Sequence, residues 1–363
     1  MRYPYLKKPV VKRVIAIVAL YLLLQLLMLF ARHPQAVEQY YSQGLYKGIC
    51  LILHPVLNIL PFSLGDIFYI SVVCAFIYAL FRVVVLLIKT QFKRAAGFFL
   101  GIVIAVQAGI IIFYLLWGLN YFRPSAATRL GLRDSTLNFE DLKAVTNQLI
   151  DSANTSRGRL TSADFKKGND TIYQQAISAV KQLGSTSVSY HTYSPRIKPS
   201  LLTFITNYIG TSGYYNPFTT EAQLNYQMPV HTRPFVACHE MAHQMGYGPE
   251  DEANFVGYLA ASRSADKLLQ YSAYYQGLQE CMYSLRAKDS VTYKAFKKKI
   301  SPQVLADYKA ERLYWLSYIN KLNAISSVFY DNFLKANNQP EGMRRYNRMV
   351  ALLMAEYKKE GTI

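Results

Sequence analysis

The chain is poor in cysteine, tryptophan and acidic residues. Its four cysteines, Cys50, Cys74, Cys238 and Cys281, are spread over 363 residues, and none forms a Cys-x-x-Cys pair. A thiolate zinc knuckle is therefore not expected. Cys50 and Cys74 lie in apolar surroundings and read as packing residues. Cys238 faces the core, and a Cys238–Cys281 disulfide stays open for an oxidising compartment. Asp and Glu number 22 against 40 Lys and Arg, which gives a net charge of +18 and a pI near 9.6. On a soluble protein that excess suggests nucleic acid. Here the basic residues flank apolar runs or are scattered through polar helices, and no nucleic-acid-binding motif accompanies them. Nucleic acid is not an expected partner. The chain also lacks internal repeats and low-complexity tracts.

What it does have is apolar length, concentrated in the first third. Residues 14–31, 67–88 and 97–117 are each long and apolar enough to span a bilayer. Arg82 lies near enough to the Lys89 end of the second run to snorkel. Trp117, Tyr121 and Phe122 suit an interfacial belt at the end of the third. The first run is long for a signal-peptide core and no Ala-x-Ala site follows it, so it reads as an uncleaved anchor. A fourth stretch, 48–60, is short, broken by Pro55 and followed by Pro61; it reads as re-entrant or interfacial. Arg2, Lys7, Lys8, Lys12 and Arg13 precede the first run, and Lys89, Lys93 and Arg94 fill the second loop. The first loop holds only Arg32 and Lys47. The positive-inside rule then keeps the N-terminus and second loop in the cytoplasm and carries everything after Tyr121 across. In a Gram-negative bacterium that side of the inner membrane is the periplasm. The expected organisation is a membrane anchor over residues 1–122 and a soluble domain over 123–363.

In the soluble part, 137–156 has helical apolar spacing after Asn138 and Glu140-Asp141. Residues 162–164 begin another helix, and 171–183 continue the helical pattern. Residues 187–193 and 201–209 are rich in β-branched and aromatic side chains and read as strands. Residues 210–216 read as a turn, and 217–227 as an extended segment, possible as an edge strand for pairing with a peptide. After Glu250 the pattern is almost wholly helical.

The most informative stretch is His239-Glu240-Met241-Ala242-His243. Residues four apart share a helix face, so His239 and His243 can bind one zinc ion, with Glu240 beside the open position as a general base. Zinc needs a third protein ligand. Gly246, Gly248 and Pro249 stop the first helix and start another, which returns Glu250-Asp251-Glu252-Ala253-Asn254 towards the histidines. Glu250 and Glu252 stand about 200° apart on a helix, so only one can face the ion. Glu250 is preferred because Asn254 shares its face and can hydrogen-bond a ligand histidine; Glu252 is the alternative and Asp251 the third choice. Tyr214, Tyr215, His231 and Tyr346 are the candidate donors to an oxyanion.

The Glu250–Asn254 run resembles the Glu-x-x-Ala-Asp/Asn helix of gluzincin-type metallopeptidases, in which the first glutamate is the third zinc ligand. Only six residues separate His243 from Glu250, where those enzymes usually carry an insertion. The longer run 239–255, with 213–219 upstream and 333–339 near the end, resembles the DUF3810 family of bacterial membrane proteins, common in Bacteroidota. The resemblance implies membrane helices followed by a mainly α-helical, α+β zincin-like domain with a small sheet.

The expected function is a membrane-anchored zinc metallopeptidase acting on a peptide or protein of the envelope. A catalytically silent zinc-binding scaffold is the alternative, against which the intact Glu240 argues. An intramembrane protease is disfavoured, because Arg233, Glu250, Asp251 and Glu252 flank the motif and would be costly in a bilayer.

Overall fold

A computed structural model describes residues 8–132, 137–340 and 348–363. The chain begins with α1 (Lys8–Ala31), a short α2 (Pro34–Ala36), a π-helical stretch over Val37–Leu45, and α3 (Tyr46–Leu57). The long helices α4 (Leu64–Ile88) and α5 (Phe92–Leu116) follow. Three segments among the described residues are long and apolar enough to cross a membrane: Val10–Ala31, Leu64–Ile88 and Phe92–Leu116. They coincide with the three expected runs but begin a few residues earlier, because the helices continue through polar flanks such as Lys12-Arg13 and Lys93-Arg94. At twelve residues α3 is too short to span. It buries Tyr46, Cys50 and His54 and turns Leu51, Ile52 and Val56 outward.

The remainder is mainly helical. It contains α6 (Ala126–Arg129), α7 (Phe139–Gly158), α8 (Asn169–Gly184), β1 (Ile197–Pro199), α9 (Thr203–Ile209), β2 (Gly213–Asn216) and β3 (Glu221–Leu224). Then come α10 (Arg233–Gln244), α11 (Glu250–Ser262), α12 (Lys267–Lys288), α13 (Ser290–Lys297), α14 (Pro302–Leu316), α15 (Lys321–Ala336) and α16 (Arg348–Glu360). Asn138 starts α7 with a reciprocal capping box to Asp141, and Leu142, Val145, Leu149 and Ile150 put one face of that helix into the core. Every residue of α11 is buried. Its Ala- and Gly-rich sequence lets neighbours approach closely, and a Cβ on Gly257 would stand 2.8 Å from the Cα of His239. The motif helix α10 thus lies directly against α11.

The sheet has the order β1-β3-β2, with β3 parallel to β1 and antiparallel to β2. Several local expectations are corrected. Segment 217–227 carries the central strand β3, so it is not an edge; β1 and β2 are the edges of this sheet. Segment 210–216 holds a turn only at its start, because β2 occupies its second half. Segment 201–209 is helical: Thr203, Thr206 and Asn207 are buried at helical spacing and Gly210 (φ +74°) terminates the helix. Phe204 and Ile205, which helped to suggest a strand, lie on its exposed side. Segment 187–193 holds only a 3-10 turn at Val188–Tyr190, and the helix expected from 162 is a single 3-10 turn at Asp164–Lys166.

The sheet is tied to the start of α4. Lys198 and Glu221 form a buried ion pair at 2.5 Å. The Lys198 ammonium also donates to the carbonyls of Leu57 (2.8 Å) and Phe62 (3.0 Å), while Glu221 accepts from the Gly65 amide at 2.6 Å. Such a pair is tolerated without water because both charges have further hydrogen-bond partners. The Glu221 carboxylate also sits at the α4 N-terminus, where the helix dipole favours a negative charge.

Candidate metal centre

The local sequence explains why the motif helix ends where it does. Pro234 occupies its first turn, and Gly246 (φ +86°) follows its end in the left-handed region. The Gly246 amide donates to His243 O at 3.0 Å and the Tyr247 amide to Ala242 O at 3.2 Å, a Schellman closure. That turn brings Tyr247 O back onto the motif, where it accepts from His243 Nδ1 at 2.6 Å. With the proton held on Nδ1, the Nε2 lone pair of His243 is left to face the site, the arrangement a metal-ligating histidine requires.

The carbonyls at the end of α10 are covered by residues from earlier in the chain, most of them from its first third. Trp117 Nε1 donates to His243 O (3.1 Å), Tyr46 Oη to Gln244 O (3.0 Å), and Thr192 Oγ1 to the same oxygen (2.9 Å). Arg123, paired with Glu38 at 2.6 Å, donates to Gly246 O at 2.8 Å. Sequence reasoning did not find these supports, since nothing in the local pattern around Tyr46 or Trp117 refers to a helix more than a hundred residues away.

Donor atoms of His239, Glu240 and His243 lie within 4.8 Å of one another. Glu250, on the first turn of α11, closes on the same point: its Oε2 is 3.2 Å from His239 Nε2 and its Oε1 is 3.7 Å from His243 Nε2. The six-residue connection is therefore long enough to bring this carboxylate to both imidazoles. Glu252 points elsewhere, accepting from the Ala126 amide and from Arg129, each at 2.8 Å. Asp251 is buried beside them. Asn254 lies against His239 and favours its charged form.

The electrostatics separate the two site carboxylates. Burial raises Glu240 to about 8; His239 opposes that shift and Glu250 adds to it. Burial acts in the same direction on Glu250, but His243, His239 and Tyr330 outweigh it and hold Glu250 at about 2. Glu240 Oε2 is buried without a hydrogen-bond partner among the described residues. A Cβ on Gly213 would meet Glu240 Oε1 at 2.6 Å, so only glycine lets edge strand β2 lie this close to the carboxylate.

The expected oxyanion donors fare differently. Tyr214 is turned to Asp66 and to Ser200 Oγ, the latter at 2.7 Å. Tyr215 lies near His243 with its ring tilted (6.1 Å between ring centroids), but its hydroxyl meets that of Tyr46 at 3.3 Å. His231 packs on Tyr275 at 4.9 Å, among Phe165 and Tyr271. Tyr346 lies outside the described residues. The tyrosine that does reach the site is Tyr330 of α15, whose hydroxyl donates to Glu250 Oε1 at 2.6 Å. In a chain with 30 tyrosines no local signal distinguishes it. Cys238 and Cys281 are separate, buried thiols.

Fold and site together define a mainly helical chain with three candidate membrane spans, in which a His-Glu-x-x-His helix is met by an acidic helix. The chain belongs to the family described as "Protein of unknown function (DUF3810)", which it matches over residues 41–354. That range takes in α3, α4 and α5 as well as the site. No curated protein matches the chain. No solved structure matches it either.

Proposed function

We propose that the chain is a membrane-anchored, zinc-dependent peptidase, with His239, His243 and Glu250 as metal ligands and Glu240 as general base. The observation that carries this reading is the approach of one ionised carboxylate, Glu250, to the Nε2 atoms of both motif histidines. The donor set fits zinc: two imidazoles, one with its Nδ1 proton fixed by a carbonyl, and one carboxylate, which leave a fourth position for water. Bound there, zinc would supply Lewis acidity and make a water a nucleophile near neutral pH.

The chain's own groups supply the rest. The unpartnered oxygen of Glu240 is placed to take a proton from the attacking water and return it to the leaving amine. The Tyr330 hydroxyl donates to Glu250 and so fixes the orientation of that ligand carboxylate. Edge strand β2, beside Glu240, is the strand on which an extended peptide would pair. A structural zinc site gives no reason for a buried, unpartnered glutamate at position 240, which favours the peptidase over the scaffold reading.

The proposed location is the inner membrane, with the site on the periplasmic side. Residues 32–66 pack against the soluble part through Tyr46, His54 and Lys198, so both lie on one side of the membrane, as a three-span path requires. The basic residues of the second loop mark the opposite side as cytoplasmic. The test is hydrolysis of a broad peptide library by the full chain in detergent, after chelation and after zinc is restored. Cleavage lost and regained with zinc supports the reading. A zinc-loaded chain that cleaves nothing contradicts it.

A further inference from the structure

Helix α15 exposes a face unlike that of a soluble protein. Leu322, Ile325, Val328 and Phe329 are 53–75% exposed, and their spacing of three and four residues puts them on one stripe. Phe204 and Ile205 of neighbouring α9, 69% and 52% exposed, extend it. Scattered exposed apolar residues need no explanation, but a continuous patch marks an interaction surface.

Both ends of this patch are joined to the candidate membrane spans. At the C-terminal end of α15, the Phe333 ring lies 6.1 Å from Phe113, about one turn inside the end of α5, and 6.2 Å from Tyr121. At the other end Asn320 Nδ2 donates to Tyr208 O of α9 at 3.1 Å. The segment leading into α9 is fixed in turn by the Leu201 amide, which donates to Asp66 Oδ2 at 2.7 Å in the first turn of α4. The patch therefore bridges the ends of α4 and α5 on one side of the membrane. At sixteen residues α15 is about 24 Å long. It also carries Ser326, Ser327, Asn332 and Lys335, so it is too short and too polar to span.

We propose that α9 and α15 lie in the interfacial layer of the bilayer leaflet in which α4 begins and α5 ends, as membrane-seated helices that do not cross. Amphipathic helices of this kind bury an apolar face at the boundary between headgroups and acyl chains. Tyr330, on the inward arc of α15, contacts Glu250. The candidate site thus stands directly behind a membrane-facing helix. On the peptidase reading, its substrate is a polypeptide held at the bilayer surface.

The test reads membrane seating without using activity, so its failure is distinct from failure of the peptidase reading. The full chain carries Cys74→Ala, which removes the one exposed thiol. A nitroxide is attached in turn to Ile325→Cys, Phe329→Cys and, as control, Ala324→Cys, an exposed position on the arc of Asp331 and Lys335. In phosphatidylethanolamine–phosphatidylglycerol vesicles, labels at 325 and 329 should collide several-fold more with oxygen than with a water-soluble nickel chelate, and the label at 324 should show the reverse. Nickel access at 325 and 329 equal to that at 324 overturns the proposal. So does shielding of both from both reagents, which would mean that a second copy or a protein partner covers the face.

Discussion

Glu240 and Glu250 are both buried, yet their proton affinities diverge because only Glu250 meets both imidazoles. The consequence can be measured in the metal-free protein. An unfolded glutamate titrates near 4.5 and folded Glu240 near 8. The stability this contributes is fully present below about 4.5 and is lost as pH rises through 8. Glu240→Gln, which cannot ionise, should match wild type near pH 4 and unfold several degrees higher at pH 8.5 in the presence of chelator. Thermal curves that coincide at both pH values would show that Glu240 is not held in a desolvating site. Glu250 and Glu252 are separable in the same way. Glu250→Gln should abolish metal binding. Glu252→Gln should keep it but lose about 3–5 kcal/mol of stability by leaving Arg129 buried without its partner. The motif and Glu250 were legible in the sequence because helical spacing fixes which residues share a face. Tyr330 was not, because its position depends on the path of a helix eighty residues further on.

At the scale of elements, Gly246 links backbone conformation to imidazole orientation. Gly246→Ala places a Cβ at positive φ and 2.9 Å from Arg123, at a cost of about 1–2 kcal/mol for the conformation alone. It should also loosen the carbonyl that holds His243, so zinc affinity should fall about tenfold or more, measured by competition with a chromophoric chelator. Unchanged affinity would mean that the turn does not position the ligand. The helices α7, α8 and α10 were readable from apolar periodicity and caps. Segment 201–209 was not, because its apolar residues face outward and its buried face is Thr203, Thr206 and Asn207, a pattern that inverts the usual signal. The central placement of β3 was equally hidden, since strand order depends on pairings between distant segments that local composition does not encode.

For the whole molecule, the first third both provides the candidate spans and packs against the site. Trp117 and Tyr46 hold the end of the motif helix, and Lys198–Glu221 joins the sheet to the start of α4. A 123–363 fragment should therefore unfold at lower temperature than the full chain and bind zinc more weakly; equal stability in both would show that these contacts are dispensable. The candidate spans were plain in the sequence because about twenty consecutive apolar residues are an unmistakable run. Their contacts with the soluble part were not, for those rest on single hydrogen bonds between remote residues. The most direct test of the central claim is metal content and peptide hydrolysis measured together on the full chain and its Glu240→Gln variant. One zinc per chain in both, with hydrolysis confined to wild type, is the predicted result. Absence of zinc from wild type, or undiminished hydrolysis by Glu240→Gln, would contradict it.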